Sequence, residues 1–382
     1  MAAHMSDVTL DERALLERAA LFIDTQVRPR AQAWAAGHGD ARDVLPAAAA
    51  AGLLGVQVPA TLGGAGLSFG CKARLAERLA AVDFGLAMSL INTHNVASHL
   101  ASAAMPALAQ RWVPPLLVGE RIGCTALTEP GAGSDFAAIE TFAVAVPGGW
   151  RLNGRKAWIT NAAFADLIVV YAQTRPGSGA QGIAAFLVDA TQPGFHREPA
   201  GEVAAPHSMG TGGFHLDDHF CADEQLLHPP GEAFKAALLS INGARIYVAA
   251  MCCGLVGEAL RVVSAYGARR HSFGRPLHEH QGWRWPLARA AVDLDAAHAL
   301  VESAGRRLDA GDDVQANAAS AKVFATEMAL HHLPALLHAM GAEGLRHDHG
   351  LMRHLAAAQA AALVDGSTEM LLERVARGLR PR

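Results

Sequence analysis

The sequence predicts an α+β multidomain protein in which one β region lies between two helical regions. Apolar residues recur with helical spacing over 7–122, and short alternating segments with glycine-rich turns fill 123–230. Helical spacing then returns to the end of the chain, so we expect three domains, at 1–122, 123–230 and 231–382. Strands and helices do not alternate and no dinucleotide-binding glycine fingerprint occurs, so a doubly wound parallel sheet is not expected.

The first helical region contains four segments with a helical pattern. Segment 11–23 follows an acidic first turn, and 46–54 is a short helix that stops at Gly55. Two further helices are predicted at 74–82 and 86–105, after a glycine-rich turn.

The middle region reads as a small β domain. Segment 141–146 alternates as a strand does, and a Pro-Gly-Gly turn follows it. Segments 150–152 and 155–160 flank the pair Asn153-Gly154, which favours a β-hairpin turn. Two short apolar strands are also predicted, at 167–171 and 183–188.

The last region is helical again. Five helices are predicted, at 235–270, 283–309, 314–340, 351–363 and 367–378.

Composition excludes several classes of protein. Only 18% of residues are charged and the formal net charge is −4, so no basic patch indicates nucleic acid binding. No apolar run reaches the roughly 20 residues of a membrane span, and we expect no targeting segment and a cytoplasmic location.

The 5 cysteines and 19 histidines give no metal signal. The cysteines lack ligand spacing and are expected to be buried small hydrophobes. The close histidine pairs lack supporting Cys or carboxylate positions, so no metal site is predicted.

Four motifs, in order, carry the chemical information. They are LTEPGAGSD at 127–135, LNGRKAWITN at 152–161, RRHSFGRPL at 269–277 and VDGSTEM at 364–370. The first is a tight loop whose backbone N–H groups and hydroxyls suit a heterocycle or phosphate. The third ends a long predicted helix, and the fourth lies between the last two predicted helices.

Together these motifs resemble the acyl-CoA dehydrogenase family, over roughly 7–378. The resemblance implies an N-terminal helical domain, a middle β-barrel-like domain and a C-terminal four-helix bundle. It also implies FAD, an acyl thioester substrate, an electron-transfer flavoprotein as electron acceptor, a homotetramer and a role in fatty acid metabolism.

The resemblance assigns cofactor and substrate contacts residue by residue. Leu127 and Thr128 match the loop at the flavin pyrimidine edge, Ser134 a phosphate contact, and Trp158 and Thr160 residues against the isoalloxazine ring. Arg270, Phe273 and Gln281 match contacts to the FAD of a neighbouring subunit, and Gly341 an adenosine segment in which Ala342 replaces a second glycine. The remaining cofactor assignments are Ser367 and Glu369, and the substrate assignments are Ser134, Arg245 and Gly366.

The resemblance makes Asp365 the catalytic base. The usual base is a Glu at this position, and a smaller branch carries Glu on an earlier helix, where this chain has Ala244. Asp retracts the carboxylate by about 1–1.5 Å, roughly one C–C bond, and a misplacement of that size alone can lower a rate about 100-fold. An alternative is that Asp365 only caps the last helix.

Three functions remain open from the sequence. The first is dehydrogenation of an acyl thioester, linked to CoA or to a carrier protein. The second is a flavin oxidase or monooxygenase of the same fold, similar to the nitroalkane oxidase branch, which also uses Asp but has a basic residue where this chain has Leu372. The third is a flavin-binding homologue without activity.

Overall fold

The computed structural model describes residues 9–199, 201 and 206–379. Within these ranges, six α-helices precede the sheet. They are α1 (Leu10–Phe22), α2 (Ala31–Ala35), α3 (Leu45–Ala50), α4 (Phe69–Ala80), α5 (Phe84–Ala103) and α6 (Pro106–Leu117). Helix α6 was not predicted, because Pro114 and Pro115 lie inside its last turns and prolines usually end a helix.

Side-chain caps fix where the first helices start. Thr9 and Glu12 form a capping box at α1, and Ser68 and Asp83 accept backbone N–H groups at the starts of α4 and α5. Asp83 is buried and also receives the hydroxyl of Ser208. This contact joins the start of α5 to a short turn at 207–209 in the middle region.

The middle region forms one eight-stranded sheet. Its strands are β1 (Gly123–Ala126), β2 (Phe142–Val146), β3 (Gly149–Ile159), β4 (Leu167–Gln173), β5 (Ile183–Asp189), β6 (Phe195–Pro199), β7 (Gly212–Ala222) and β8 (Leu226–His228). The order is β6-β7-β3-β2-β4-β5-β8, with β1 beside β4. Gln225, after β7, donates to the carbonyl of Leu187 in β5, so the two halves of the sheet curl toward each other.

The predicted hairpin at Asn153-Gly154 is wrong. Strand β3 runs through both residues, and the turn lies at the Pro-Gly-Gly segment between β2 and β3. Gly154 has φ +140°, and a Cβ there would lie 2.5 Å from the Cα of Thr141. The register of β3 against β7 shifts between Leu152 and Gly154, so the glycine is part of a bulge.

The C-terminal region is a helical bundle. Its helices are α7 (Ala233–Arg269), α8 (Gln281–Asp309), α9 (Gln315–Ala339), α10 (Leu351–Leu363) and α11 (Thr368–Gly378), with a two-stranded ribbon, β9 (His271–Ser272) and β10 (Arg275–Pro276), after α7. Helices α7, α8 and α9 pack on one another, α10 packs on α7 and α9, and α11 packs on α9.

Helix α7 joins the bundle to the first helical region. Gly254 on α7 lies so close to α4 that a Cβ there would stand 2.2 Å from the carbonyl oxygen of Glu77. By length and composition α7 could also cross a membrane, contrary to the expectation that no run was long enough. Because 72% of its most apolar window is buried inside the protein, it is the central core helix here.

Candidate functional site

The loop 127–135 is fastened to β3 by a buried ion pair. Lys156, whose side chain is fully buried, donates to the carboxylate of Glu129 at 2.8 Å and to the carbonyl oxygen of Leu127 at 3.0 Å. Burial lowers the pKa of Lys156 to about 8, although Glu129 opposes that shift. The N–H of Ala157 donates to the carbonyl of Thr128. The loop is therefore held rigidly beside the strand that carries Trp158.

The surface next to this loop suits a flat heterocycle. Trp158 is 63% exposed and has φ 61°, a left-handed conformation that is rare for a bulky residue. Gly131 and Gly133 have no atom within 4 Å of the position where a Cβ would stand, so the loop backbone is open to a ligand. Thr160 is buried beside Trp158, whereas Ser134 is exposed.

A second group of predicted cofactor residues lies at the C-terminal end of α7. Arg270, Phe273, Gln281 and Gly341 are all exposed, and the Phe273 ring is 96% accessible. Trp283 donates to the carbonyl of Ala339, which holds the start of α8 against the end of α9 and so brings this group together.

The structure separates this second group from the predicted base. Arg245, which contacts Asp365, lies near the start of α7, and at 1.5 Å per residue the helix end at Arg269 is roughly 36 Å away. One chain therefore does not gather all the predicted cofactor residues around Asp365.

Asp365 lies in a strained turn between α10 and α11. Its φ is 54°, and the following residue, Gly366, has φ +100°. Arg245 donates from Nε to the carbonyl oxygen of Asp365 at 3.0 Å. Lys322 donates from Nζ to the carbonyl oxygens of Val364 and Gly366, at 2.5 and 2.7 Å. Two buried cations thus fix the main chain on both sides of the aspartate.

The carboxylate and the backbone N–H of Asp365 are left free by this arrangement. Within the described residues, neither its carboxylate nor its backbone N–H has a hydrogen-bond partner. Burial raises the pKa of the Asp365 carboxyl, and the charges of Lys322 and Arg245 offset part of that rise. A carboxylate with a raised pKa and no internal partner is suited to accept a proton from a ligand.

The helix-capping alternative for Asp365 is wrong. The N-cap of α11 is Ser367, whose hydroxyl accepts the N–H of Met370 at 3.5 Å. Glu369 is exposed in the first turn of the same helix. Asp365 therefore has no capping role that would explain its position.

Several residues at this site were not singled out from the sequence. Lys322 supports the turn of Asp365, Lys156 supports the loop 127–135, and Tyr247 lies two residues after Arg245 on α7. Lysines inside apolar helical runs, as at Lys72 and Lys322, were the available signal, since buried lysines need a partner. Only the tertiary structure shows which groups they contact.

The described residues hold no group of three or more His, Cys, Asp and Glu side chains that could bind a metal ion. All five cysteines are buried and unpaired, as predicted.

Comparison with known proteins matches three family models in order. They describe the N-terminal domain of acyl-CoA dehydrogenase at 9–120, the middle domain at 124–219 and the C-terminal domain at 231–380. The human mitochondrial short-chain specific acyl-CoA dehydrogenase is 33% identical over 321 residues, which are 84% of this chain and 78% of the relative.

Solved structures agree with the family models. Butyryl-CoA dehydrogenase from Megasphaera elsdenii superposes with a TM-score of 0.94 at 27% identity, covering 98% of this chain and 99% of that one. A chain in a structure described as the electron transferring flavoprotein of Acidaminococcus fermentans also gives 0.94, at 29% identity, covering 98% and 100%. This chain therefore has the three-domain fold and belongs to the acyl-CoA dehydrogenase family, whose members are oxidoreductases acting on CH–CH groups.

Proposed function

We propose that this protein removes two hydrogens from the α and β carbons of an acyl thioester, with FAD as cofactor and Asp365 as base. The observation that carries the proposal is the free carboxylate of Asp365, held by its main chain between Arg245 and Lys322. Family membership supplies the reaction class, and the geometry supports Asp365 as the residue that takes the proton.

The residues of the two cofactor groups suit FAD. The backbone of Leu127 and Thr128 and the exposed indole of Trp158 offer hydrogen bonds and a flat face to a ring, with Thr160 beside it. Ser134 and Arg270 offer a hydroxyl and a guanidinium to phosphates. We assign Phe273, Gln281, Gly341, Ser367 and Glu369 to the same cofactor. When bound, FAD accepts the hydride that leaves the β carbon.

The chain itself handles the α proton. The carboxylate of Asp365 accepts this proton, and the C–H electron pair forms the new double bond as the β hydrogen leaves with its own pair. The free N–H of Asp365 donates to the thioester oxygen, where negative charge develops, so the α proton becomes more acidic. Gly366 and Ser134 complete the proposed substrate contacts, and Arg245 acts by holding the turn.

The short side chain of Asp365 must still reach the α carbon. The position of the carboxylate depends on the left-handed backbone of Asp365 and on the two cations that donate to carbonyl oxygens of the turn. We propose that this turn compensates for the missing methylene, so that substituting Glu for Asp365 will not restore a faster reaction.

The separation of the two cofactor groups supports an assembly of identical chains. Arg270, Phe273 and Gln281 of one chain would complete the site of another, which agrees with the predicted homotetramer. We also propose an electron-transfer flavoprotein as the electron acceptor. The tetramer and the cytoplasmic location stay predictions.

The test is anaerobic mixing of the FAD-loaded enzyme with a panel of acyl-CoA and acyl carrier protein thioesters. Bleaching of the oxidised flavin band is expected, and in Asp365→Asn its rate should fall by about 100- to 10,000-fold. If no thioester bleaches the flavin, dehydrogenation is excluded.

The same samples separate the two alternatives. Rapid reoxidation by air with stoichiometric peroxide would identify an oxidase. Absence of bleaching in both the wild type and Asp365→Asn would identify a flavin-binding homologue without activity. Bleaching at an unchanged rate in Asp365→Asn would show that this residue is not the base.

A further inference from the structure

Lys72 carries a buried amino group that is not paired with a carboxylate of the described residues, and burial lowers its pKa to about 7. Its side chain is 6% exposed, and Nζ lies 3.3 Å from Oδ1 of Asn95 and 4.9 and 5.7 Å from the ring centres of Phe69 and Tyr247. Within the described residues no carboxylate forms an ion pair with it. The charge of Asp309 reaches Lys72, but both oxygens of Asp309 accept backbone N–H groups at the start of α4.

A second unsatisfied donor lies beside Lys72. His94 is fully buried, and its Nε2 accepts the N–H of Gln57, so the ring hydrogen is on Nδ1, which has no partner. Burial and the charge of Lys72 lower the pKa of His94 well below its usual value, so the ring is neutral. The cluster of Lys72, His94 and Asn95 thus has more donors than acceptors, and burial of an unpaired ammonium is unfavourable.

This donor cluster adjoins the helix that positions the base. Nδ2 of Asn95 donates to the hydroxyl of Tyr247 at 3.2 Å, and Tyr247 follows Arg245 by two residues on α7. Asp365 is close enough that its charge adds to the rise in the pKa of Tyr247 that burial causes. Asn95 itself is partly exposed in the middle of α5.

We propose that Lys72 binds a carboxylate at the far end of the acyl group, so that the substrate is the monothioester of a dicarboxylic acid. This inference rests on the proposed function. The thioester end of the substrate lies at Asp365, and the acyl group extends along α7 past Tyr247 toward α4 and α5. The substrate carboxylate pairs with the Lys72 ammonium, and the Nδ1–H of His94 supplies a second hydrogen bond.

The experiment compares substrates of equal carbon number that end in a carboxylate or a methyl group. The FAD-loaded enzyme is mixed with succinyl-, glutaryl- and adipyl-CoA and with butyryl-, valeryl- and hexanoyl-CoA. We expect kcat/KM for the best dicarboxylic thioester to exceed that of its methyl-ended counterpart by about 10- to 100-fold. Lys72→Met should abolish this preference by raising KM for the carboxylate series alone, whereas exposed Lys235→Met should leave it intact.

The outcomes distinguish the two proposals. If the wild-type enzyme oxidises the methyl-ended series as well as or better than the dicarboxylic series, the role of Lys72 is overturned while the proposed function stands. The same conclusion follows if Lys72→Met lowers both series alike. If neither series bleaches the flavin but another thioester of the wider panel does, this inference is overturned and the proposed function stands, whereas both fail if no thioester bleaches it. Should Lys72→Met not fold, Lys72→Arg, which keeps the charge, must keep the preference.

Discussion

Arg245 donates from Nε to the backbone carbonyl oxygen of Asp365 at 3.0 Å, so the arginine holds the main chain of the proposed base and leaves its carboxylate free. A second donor of the same guanidinium, Nη1, is held by Oδ1 of Asn242 at 2.9 Å. This geometry favours a positioning role over the substrate contact that the sequence predicted for Arg245.

Arg245→Lys is expected to lower kcat by about 10- to 100-fold, because one ammonium cannot replace both hydrogen bonds of the guanidinium. KM should change little, since the substrate is not the partner of the lost bonds. Lys322→Met removes the hydrogen bonds on the other side of the same turn, and it should also lower kcat with little change in KM. A large rise in KM at constant kcat would instead assign Arg245 to substrate binding.

The activity should rise with pH through the titration of Asp365. Because burial raises the pKa of this carboxyl, the acidic limb of the kcat profile lies at higher pH than for an exposed Asp. Asp365→Asn should remove that limb together with most of the activity. An acidic limb at the pH of an ordinary Asp would contradict the raised pKa.

The same raised pKa predicts a change in stability. The folded state binds the Asp365 proton more tightly than the unfolded chain does, so this carboxyl is most compatible with folding at acidic pH. Its contribution is lost as pH rises through the folded pKa. The Tm of Asp365→Asn should therefore exceed that of the wild type at neutral pH, with the difference shrinking on acidification. A lower Tm at neutral pH would contradict burial of the charge.

Lys156→Met should weaken cofactor binding and destabilise the middle domain. It leaves Glu129 buried without its partner, and breaking such a pair costs about 3–5 kcal/mol. The carbonyl of Leu127 also loses its donor, so FAD retained after gel filtration should fall. Lys235→Met on the surface is the matched control, and unchanged FAD content and Tm would rule out this role.

Two inactive variants are expected to complement each other. In a mixed assembly, a chain with Arg270→Ala still supplies Asp365, and a chain with Asp365→Asn still supplies Arg270. If the cofactor site is shared between two chains, one of the two sites in a mixed pair contains both intact residues. Co-expression should therefore restore about a quarter to a half of wild-type activity. Absence of restored activity in verified mixed assemblies would contradict a shared site.

Much of the fold could be predicted because its signals are local. Helical periodicity, the caps at Thr9, Ser68 and Asp83, and the alternating strands depend on neighbours within a few residues. The misread pair Asn153-Gly154 shows the limit of such signals. The same dipeptide suits a hairpin turn or a bulge, and its close approach to Thr141 decided between them.

The sequence by itself determined the order of the domains, the family and the position of Asp365, because these follow from motifs and periodicity along the chain. Only the tertiary structure decided which groups hold that aspartate, that Ser367 is the helix cap, and that no carboxylate of the described residues forms an ion pair with Lys72. Those facts depend on contacts between helices far apart in the chain, and whether a buried charge is paired depends on such contacts alone.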